Sequence, residues 1–212
     1  MATAVTSLTH CVVLRNVSWP TYVALTEDLA ECSSPRLTYD RGTLEIMTPS
    51  TDHERVNRRL HTFVETVCVA WKLRVDNVGS NTLRREDLQR GFEPDTCFYI
   101  HHASHVFGKE RIDLEQDPPP DLVIEVEVTN TAIDKLALYS AVGVPEVWRW
   151  DGTSVIILAL QEGRYRRVED SRAIPGLRAS VVSEFARASR AEDFSAWLMS
   201  VQEWARANRP GG

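Results

Sequence analysis

The 212-residue sequence has few cysteines, and they form no recognisable metal or disulfide pattern. Cys11, Cys32, Cys68 and Cys97 are widely spaced, with no CxxC pair and no His/Cys spacing typical of zinc sites. Most of them lie among apolar neighbours. We therefore expect buried free thiols and a cytoplasmic, reducing location.

Long apolar runs and a secretory leader are also missing. No stretch reaches the roughly 18 to 20 apolar residues of a membrane-spanning helix, and the N-terminus lacks a basic region followed by an apolar run. We therefore expect no membrane association. The sequence also contains no HExxH, GxSxG, P-loop or GxGxxG motif, so the protein classes that carry those signatures have no support.

Excess positive charge is absent as well, because the formal net charge is -6. This balance argues against a protein that coats nucleic acid through charge alone, but it allows local basic patches or a site that uses metal ions against phosphate. The content of 43% hydrophobic and 25% charged residues is typical of a globular protein. We predict a single domain over residues 1–212, with a core at about 20–170 and a C-terminal amphipathic helix at about 190–208.

The order of helical and strand patterns predicts an α/β (α+β) fold with one mixed central β-sheet flanked by helices. We expect helices at about 20–32, 51–71, 131–142 and 190–207, hairpins at 37–47 and 144–160, and further strands near 74–78, 82–86, 96–100, 122–128 and 164–168. Thr51 with Glu54, and Ser189 with Glu192, match capping boxes. Thr129 and Asn130 are candidate caps for the third helix. The aromatic stripe of the last helix is typical of core packing.

The most informative segment is the strand from Asp121 to Val128, in which Glu125 and Glu127 interrupt an apolar run. Side chains alternate in a strand, so these two glutamates share one face. Carboxylates in a Val- and Ile-rich strand need a cation to offset their desolvation. The alternative is an edge strand with one solvated face.

Three further residues fit such a site, each with a simpler reading. Asp95 follows Pro94 at the start of a strand and could equally be a turn residue. Lys135 lies in the first turn or two of the next helix, where it can reach back toward the strand or stay in solvent. Glu54 is a candidate site residue that could also serve only in its capping box.

Two clusters of basic residues have open roles. Arg55, Arg58 and Arg59 share the second helix with His53 and could contact phosphate or form an ordinary solvated face. His101, His102 and His105 include an i,i+4 pair that could bind a metal if helical. A loop or surface cluster is the favoured reading of these histidines.

Together these pieces resemble the PD-(D/E)XK nuclease superfamily and, within it, the bacterial family of Uma-type putative restriction endonucleases. The resemblance covers about Thr21 to Asp151. It is carried by Gly42 to Ser50, His53, Pro94-Asp95, Pro119 to Glu127, Asp134 to Tyr139, and Gly143 to Trp148. The superfamily places its lysine two residues after the strand carboxylate, where this sequence has Glu127. Lys135 is positioned to replace that lysine from the following helix.

The resemblance implies a Mg²⁺-dependent (or Mn²⁺-dependent) endonuclease acting on DNA, with a restriction-endonuclease-like fold and a possible homodimer. Asp95, Glu125 and the Val126 carbonyl would bind the metal, which suits oxygen ligands. Lys135 would orient or deprotonate the attacking water or stabilise developing charge. Glu127 would bind a second metal or hold Lys135, and Glu54 would contact the metal through water.

Two other hypotheses stay open. The displaced lysine and the acidic net charge are also compatible with a catalytically inactive nuclease-fold module that binds nucleic acid or a protein partner. An unrelated α/β metal-dependent hydrolase would instead turn over small phosphoesters.

Overall fold

The computed structural model describes residues 10–30, 32, 34–126 and 132–211. In chain order the strands are β1 (His10–Leu14), β2 (Arg36–Asp40), β3 (Thr43–Thr48), β4 (Asp76–Gly79), β5 (Leu83–Arg85), β6 (Arg90–Phe92), β7 (Thr96–Tyr99), β8 (Leu122–Val126), β9 (Glu146–Trp150), β10 (Val155–Gln161) and β11 (Arg164–Val168). The helices are α1 (Trp19–Asp28), α2 (Thr51–Ala70), α3 (Ala103–Val106), α4 (Lys135–Val142), α5 (Ala179–Ala191) and α6 (Phe194–Ala207).

The strands form two sheets. The first, in the order β1-β3-β2-β6-β5, is antiparallel throughout. The second, in the order β11-β10-β9-β8-β7-β4, is mixed because only β8 and β9 run parallel. The predicted α+β class with a mixed sheet and flanking helices is confirmed, although one sheet was expected and the structure has two. The hairpin β2-β3 and a strand near β5 were predicted, but β1 and β6 were not. The grouping into a separate sheet depends on pairings between distant segments, such as β2 with β6.

Strand β8 lies inside the second sheet, between β7 and β9. Leu122, Ile124 and Val126 belong to the core cluster formed with α2, α5 and α6. On the opposite face, Val123 packs in a second cluster with Leu138 of α4. All five residues of β8 are buried. The edge-strand alternative for this segment is therefore wrong, and the apolar composition reflects burial on both faces.

The predicted hairpin at 37–47 is confirmed as β2 and β3. Arg41 and Gly42 form its two-residue loop and have φ angles of 44° and 89°. Positive φ at both positions is required by the turn that matches the twist of the flanking strands. The hairpin places Arg36 and Glu45 in the first sheet.

Helix starts differ from the predicted ones in detail. The cap of α2 is Ser50, whose hydroxyl accepts a hydrogen bond from His53 N, so the predicted cap Thr51 is instead the first helical residue. Helix α4 begins at Lys135, capped by Asp134, about four residues later than predicted. Thr129 and Asn130, the predicted caps, lie outside the described residues. Gly143 ends α4 with φ of 83°, as its sequence position indicates.

The predicted capping box at Ser189 and Glu192 is wrong. Ser189 lies inside α5, where its hydroxyl donates to the Ala186 carbonyl. Asp193 caps α6 by accepting hydrogen bonds from Ser195 N and Ala196 N. A serine can satisfy its hydroxyl within a helix, which makes the short capping pattern ambiguous near a helix end.

The core role of the α6 stripe is confirmed, because Trp197 and Val201 are fully buried. None of the described helices combines the length and the apolar character needed to cross a membrane. His101 and His102 precede the short α3, so His101 and His105 do not share a helix. His102 Nδ1 lies 2.6 Å from Asp121 Oδ1, and these histidines form a surface cluster.

Candidate active site

Strand pairing brings Asp95 next to Glu125. Thr96 of β7 pairs with Ile124 of β8, so Asp95, one residue before β7, lies beside Glu125 in the antiparallel register. Asp95 Oδ2 accepts a hydrogen bond of 2.7 Å from the backbone N–H of Val126. Asp95 and Glu125 are only 2% and 7% exposed. Two carboxylates from neighbouring strands therefore meet in a buried position, which requires compensating charge.

Cations from two other elements surround Asp95. Arg36 of β2 donates from Nη1 to Oδ1, and His53 Nε2 of α2 lies 2.9 Å from Oδ2. Burial alone would raise the pKa of Asp95, but contact with His53 and the positive charges of Lys135 and Arg36 outweigh it and lower that pKa. Asp95 is therefore held as a carboxylate.

His53 and Glu54 complete this network on α2. Arg36 Nη2 donates to Glu54 Oε1 at 2.5 Å, and His53 Nδ1 lies 3.7 Å from the same oxygen. Burial lowers the pKa of His53, but its contacts with Asp95 and Glu54 outweigh burial and raise it to about 9. His53 is thus an imidazolium near neutral pH. Glu54 joins the site through Arg36, and Ser50 alone caps the helix with its side chain.

The side chain of Glu125, the second buried carboxylate, binds two groups from α4. Lys135 Nζ donates to Oε2 at 2.7 Å, and the Tyr139 hydroxyl donates to Oε1. Burial and the charge of Asp95 raise the pKa of Glu125 despite the nearby ammonium of Lys135. Burial alone would lower the pKa of Lys135, but the negative charges of Glu125 and Asp95 outweigh burial and raise it. The ammonium form of Lys135 is thereby favoured.

The local fold explains why Lys135 reaches Glu125. Parallel strands need a crossover, and α4 supplies it between β8 and β9. The helix therefore starts near the end of β8 that carries Glu125. Lys135 is its first residue, and helical side chains lean toward the helix N-terminus.

A cavity of about 140 Å³ opens beside Glu125 and Lys135. Its lining comes from both sheets and from α4: Cys11, Glu45, Met47, Glu125, Asp134, Lys135, Leu136, Tyr139, Val147 and Arg149. Glu45 is 2% exposed, and its Oε2 accepts a 2.7 Å hydrogen bond from Ala132 N. Its negative charge contributes to the raised pKa of Lys135.

The structure brings most of the predicted site residues together. Val126 binds Asp95, and Lys135 binds the adjacent Glu125, whereas Glu127 lies outside the described residues. Sequence reasoning assigned no role to three further participants, which are Arg36, Glu45 and Tyr139. Glu45 carries the same signal as Glu125, a carboxylate between two branched aliphatic residues of a strand, whereas Arg36 had no such signal.

The donor set of the site is oxygen-rich. Within the described part of the chain, no group of three or more His, Cys, Asp or Glu residues is arranged to hold a metal ion. Asp95 and Glu125 remain as a pair of hard ligands that suits Mg²⁺ or Mn²⁺. A carboxylate oxygen has two lone pairs, and the described donors use one on Asp95 Oδ1 and one on each oxygen of Glu125. The pair therefore fits a divalent cation in ligand chemistry.

Comparison with known proteins identifies a family and a shared fold. The family model Uma2, described as putative restriction endonuclease, matches residues 19–188. Among solved structures, the chain is similar to a putative nuclease belonging to DUF820 from Anabaena variabilis ATCC 29413, with 14% identity, a TM-score of 0.51, and coverage of 89% of this chain and 99% of that chain. At this identity the likeness shows a shared fold. No curated protein matches the chain. Because the family model spans most of the sequence, the chain belongs to the Uma2 family of putative restriction endonucleases.

Proposed function

We propose that this protein is a Mg²⁺- or Mn²⁺-dependent endonuclease that hydrolyses DNA phosphodiester bonds. Family membership supports a nuclease-type function. The observation that carries the proposal is the convergence of Asp95, Glu125 and Lys135. Glu125 of β8 and Lys135 of α4 line one cavity, and the buried Asp95 at the start of β7 lies beside Glu125. Buried carboxylates with an adjacent ammonium are the groups that metal-assisted phosphodiester hydrolysis needs.

Asp95, Glu125 and the Val126 carbonyl would hold the cation. When bound there, a divalent cation would neutralise phosphate charge and lower the pKa of water. The charges of the described network balance without it, since Asp95, Glu125 and Glu54 face Arg36, Lys135 and protonated His53. We therefore expect a divalent cation to bind more tightly when the anionic DNA backbone is present.

Lys135 would act as a cation in this reaction. Its raised pKa favours the ammonium form, so orienting the water and stabilising developing negative charge fit it better than deprotonation. One of its N–H groups donates to Glu125, and an ammonium has two more to offer a phosphate oxygen or water. Tyr139 fixes the other oxygen of Glu125, which keeps the carboxylate turned to the cavity.

Arg36 and His53 would position Asp95. They bind different oxygens of its carboxylate, and Asn57 Nδ2 donates to its backbone carbonyl at 2.9 Å. The side chain is thereby fixed before any ligand arrives, which reduces the ordering required on binding. Glu127 stays a proposed acidic member of the same site.

The test combines calorimetric titration of Mg²⁺ and Mn²⁺ with cleavage of supercoiled plasmid. We expect Glu125→Gln to lose metal binding and cleavage. Lys135→Met should bind metal but cleave at least ~100-fold more slowly. The control Glu203→Ala removes an exposed carboxylate of α6 and should behave as the parent. If Glu125→Gln and Lys135→Met match the parent in both assays while folded, the proposal is wrong.

A catalytically inactive module is the second candidate, and one observation favours it. Every oxygen of Asp95 and Glu125 already has a protein donor, so the network is complete as an internal structural element. This candidate predicts nucleic-acid or protein binding that needs no metal, with no cleavage under any metal. Turnover of small phosphoesters without action on plasmid would favour an unrelated hydrolase.

Location and assembly follow as smaller proposals. Cys11, Cys32, Cys68 and Cys97 are all free, which supports a reducing cytoplasm. A homodimer would suit cleavage of both DNA strands and is checked by light scattering of the purified protein.

A further inference from the structure

A second cavity, of about 410 Å³, lies where the N-terminal half of α2 meets the end of α5. Its lining residues are mostly charged and define the arginine pocket: Asp52, Arg55, Val56, Arg59, Ser189, Arg190 and Glu192. It shares no lining residue with the cavity at Glu125. Three arginines at one concave site indicate an anionic ligand.

Arg59 is prepared for such a ligand. Its guanidinium carbon lies 4.7 Å from the ring centroid of Phe194 and 4.9 Å from that of Trp197. Stacking on two rings holds the planar group in place. Its Nη1 is buried, and no hydrogen-bond acceptor among the described residues reaches it. A buried donor without a partner is unfavourable, and an oxyanion entering the pocket would satisfy it.

The remaining charges leave the pocket positive. Asp52 Oδ2 and Arg190 Nη2 lie 3.3 Å apart and offset one another. Arg55 and Arg59 then face the single carboxylate of Glu192. Arg55 is exposed and can reach a ligand at the pocket mouth. A group with one negative charge and several acceptor oxygens, such as a phosphodiester, matches this balance.

The pocket lies close to the candidate active site along the same helix. Glu54 precedes Arg55 in α2 and binds Arg36, which binds Asp95. Successive helical residues turn by about 100°, so Arg55 and Arg59 project from other faces of the first turns of α2 than His53, which contacts Asp95. A nucleic acid that follows the N-terminal end of α2 would contact both sites.

We propose that the arginine pocket binds a backbone phosphate of the same nucleic acid that occupies the Asp95–Glu125 site. This inference rests on the proposed function and adds the surface that holds the substrate. Arg59 provides the preorganised donor, and Arg55 provides a second charge. Because the contact is to the backbone, it is independent of base sequence.

The test measures binding of a fluorescent duplex DNA in EDTA, where cleavage does not interfere. Arg55→Gln and Arg59→Met should each weaken binding and reduce the slope of log Kd against log salt by about 1. Glu192→Gln should strengthen binding, because it removes the opposing charge. The control Arg206→Gln removes an exposed arginine beside Val69, at the other end of α2, and should match the parent.

A second measurement separates a DNA phosphate from a free one. Inorganic phosphate is titrated while the Trp197 indole N–H resonance, identified with Trp197→Phe, is followed by NMR. A phosphate-dependent shift that is lost in Arg59→Met, together with weaker DNA binding, supports the proposal. The same shift with unchanged DNA affinity overturns it and indicates a site for small anions only.

Failure of the inference and of the proposed function can be told apart. If Arg55→Gln and Arg59→Met bind DNA as the parent does while Glu125-dependent cleavage persists, the pocket assignment is wrong and the nuclease assignment stands. If DNA binding depends on both arginines but no metal supports cleavage, the pocket stands and the nuclease assignment fails. Arg55 is exposed, so its replacement leaves the fold intact as a reference.

Discussion

Two buried glutamates on neighbouring strands of the same sheet differ in what surrounds them. Glu146 at the start of β9 is fully buried. Its Oε1 accepts hydrogen bonds from Trp148 Nε1 at 2.7 Å and Ser171 Oγ at 2.6 Å, and its Oε2 accepts one from Arg172 N at 2.6 Å. Glu125 of β8 instead binds an ammonium and a phenol and borders a cavity.

This difference distinguishes a carboxylate that only stabilises the fold from one that is a candidate for ligand binding or catalysis. The donors of Glu146 are neutral groups fixed in the core or backbone, so they bind it permanently to the segment at 171–173. The chief donor of Glu125 is Lys135, a flexible cation that can exchange one anionic partner for another. Only a carboxylate of the second kind can accept a new ligand without breaking the core.

Asp121 is a structural carboxylate, like Glu146. It is 2% exposed and accepts hydrogen bonds from Ile100 N at 2.7 Å and His102 N at 3.0 Å. It therefore fixes the turn after β7. Asp121 and Glu146 are both part of the sequence resemblance to nucleases, and the structure gives them roles in holding the sheet in shape.

The largest expected effect comes from breaking the structural carboxylate. Glu146→Ala leaves the buried Trp148 indole N–H and the Ser171 hydroxyl without their acceptor, so we expect the free energy of unfolding to fall by about 3 to 5 kcal/mol. Urea denaturation measures it. Glu184→Ala, an exposed carboxylate on α5, is the control and should change stability by less than ~0.5 kcal/mol. An unchanged urea midpoint for Glu146→Ala would remove the distinction between the two glutamates.

A smaller loss of stability is expected when Glu125 is replaced, and a second substitution should restore the stability. Glu125→Gln leaves the Lys135 ammonium facing only the more distant Asp95 and Glu45, so we expect a loss of about 2 kcal/mol. The double variant Glu125→Gln/Lys135→Met removes the unpaired cation and should return to within ~1 kcal/mol of the parent. Urea denaturation of the parent, both single variants and the double variant measures the coupling. Additive losses in the double variant would show that the pair is not coupled.

The sequence predicted the local half of the site. Glu125 and Lys135 are ten residues apart, and strand followed by helix was enough to place them together. The pairing of Arg36 with Asp95 spans 59 residues and two sheets. No periodicity encodes which distant cation meets a buried carboxylate, so Arg36 was beyond sequence reasoning.

The fold shows the same division between local and distant information. The hairpin, α2 and the buried β8 were predictable because alternation and helical periodicity are local signals. The division of the strands into two sheets depends on pairings such as β2 with β6, between segments far apart in sequence. Glu45 is the exception, because its position between Leu44 and Ile46 was a readable signal for a site residue.

The smallest expected effect tests whether burial, rather than the kind of donor, makes Glu146 important. Asp151 is an exposed carboxylate whose Oδ1 accepts hydrogen bonds from Thr153 N and Ser154 N, at 2.9 and 2.8 Å. Its backbone bond from Ser154 and its hydroxyl and backbone bonds from Thr153 lower its pKa to about 2. Its contribution to stability is therefore complete above about pH 4 and is lost as the pH falls through about 2. Between pH 5 and pH 2, the free energy of unfolding of the parent should fall by less than ~1 kcal/mol more than that of Asp151→Asn. The difference is small because solvent screens an exposed charge. Thermal unfolding at both pH values measures this difference. A loss as large as that of Glu146→Ala would mean that neutral donors alone, without burial, make a carboxylate structural.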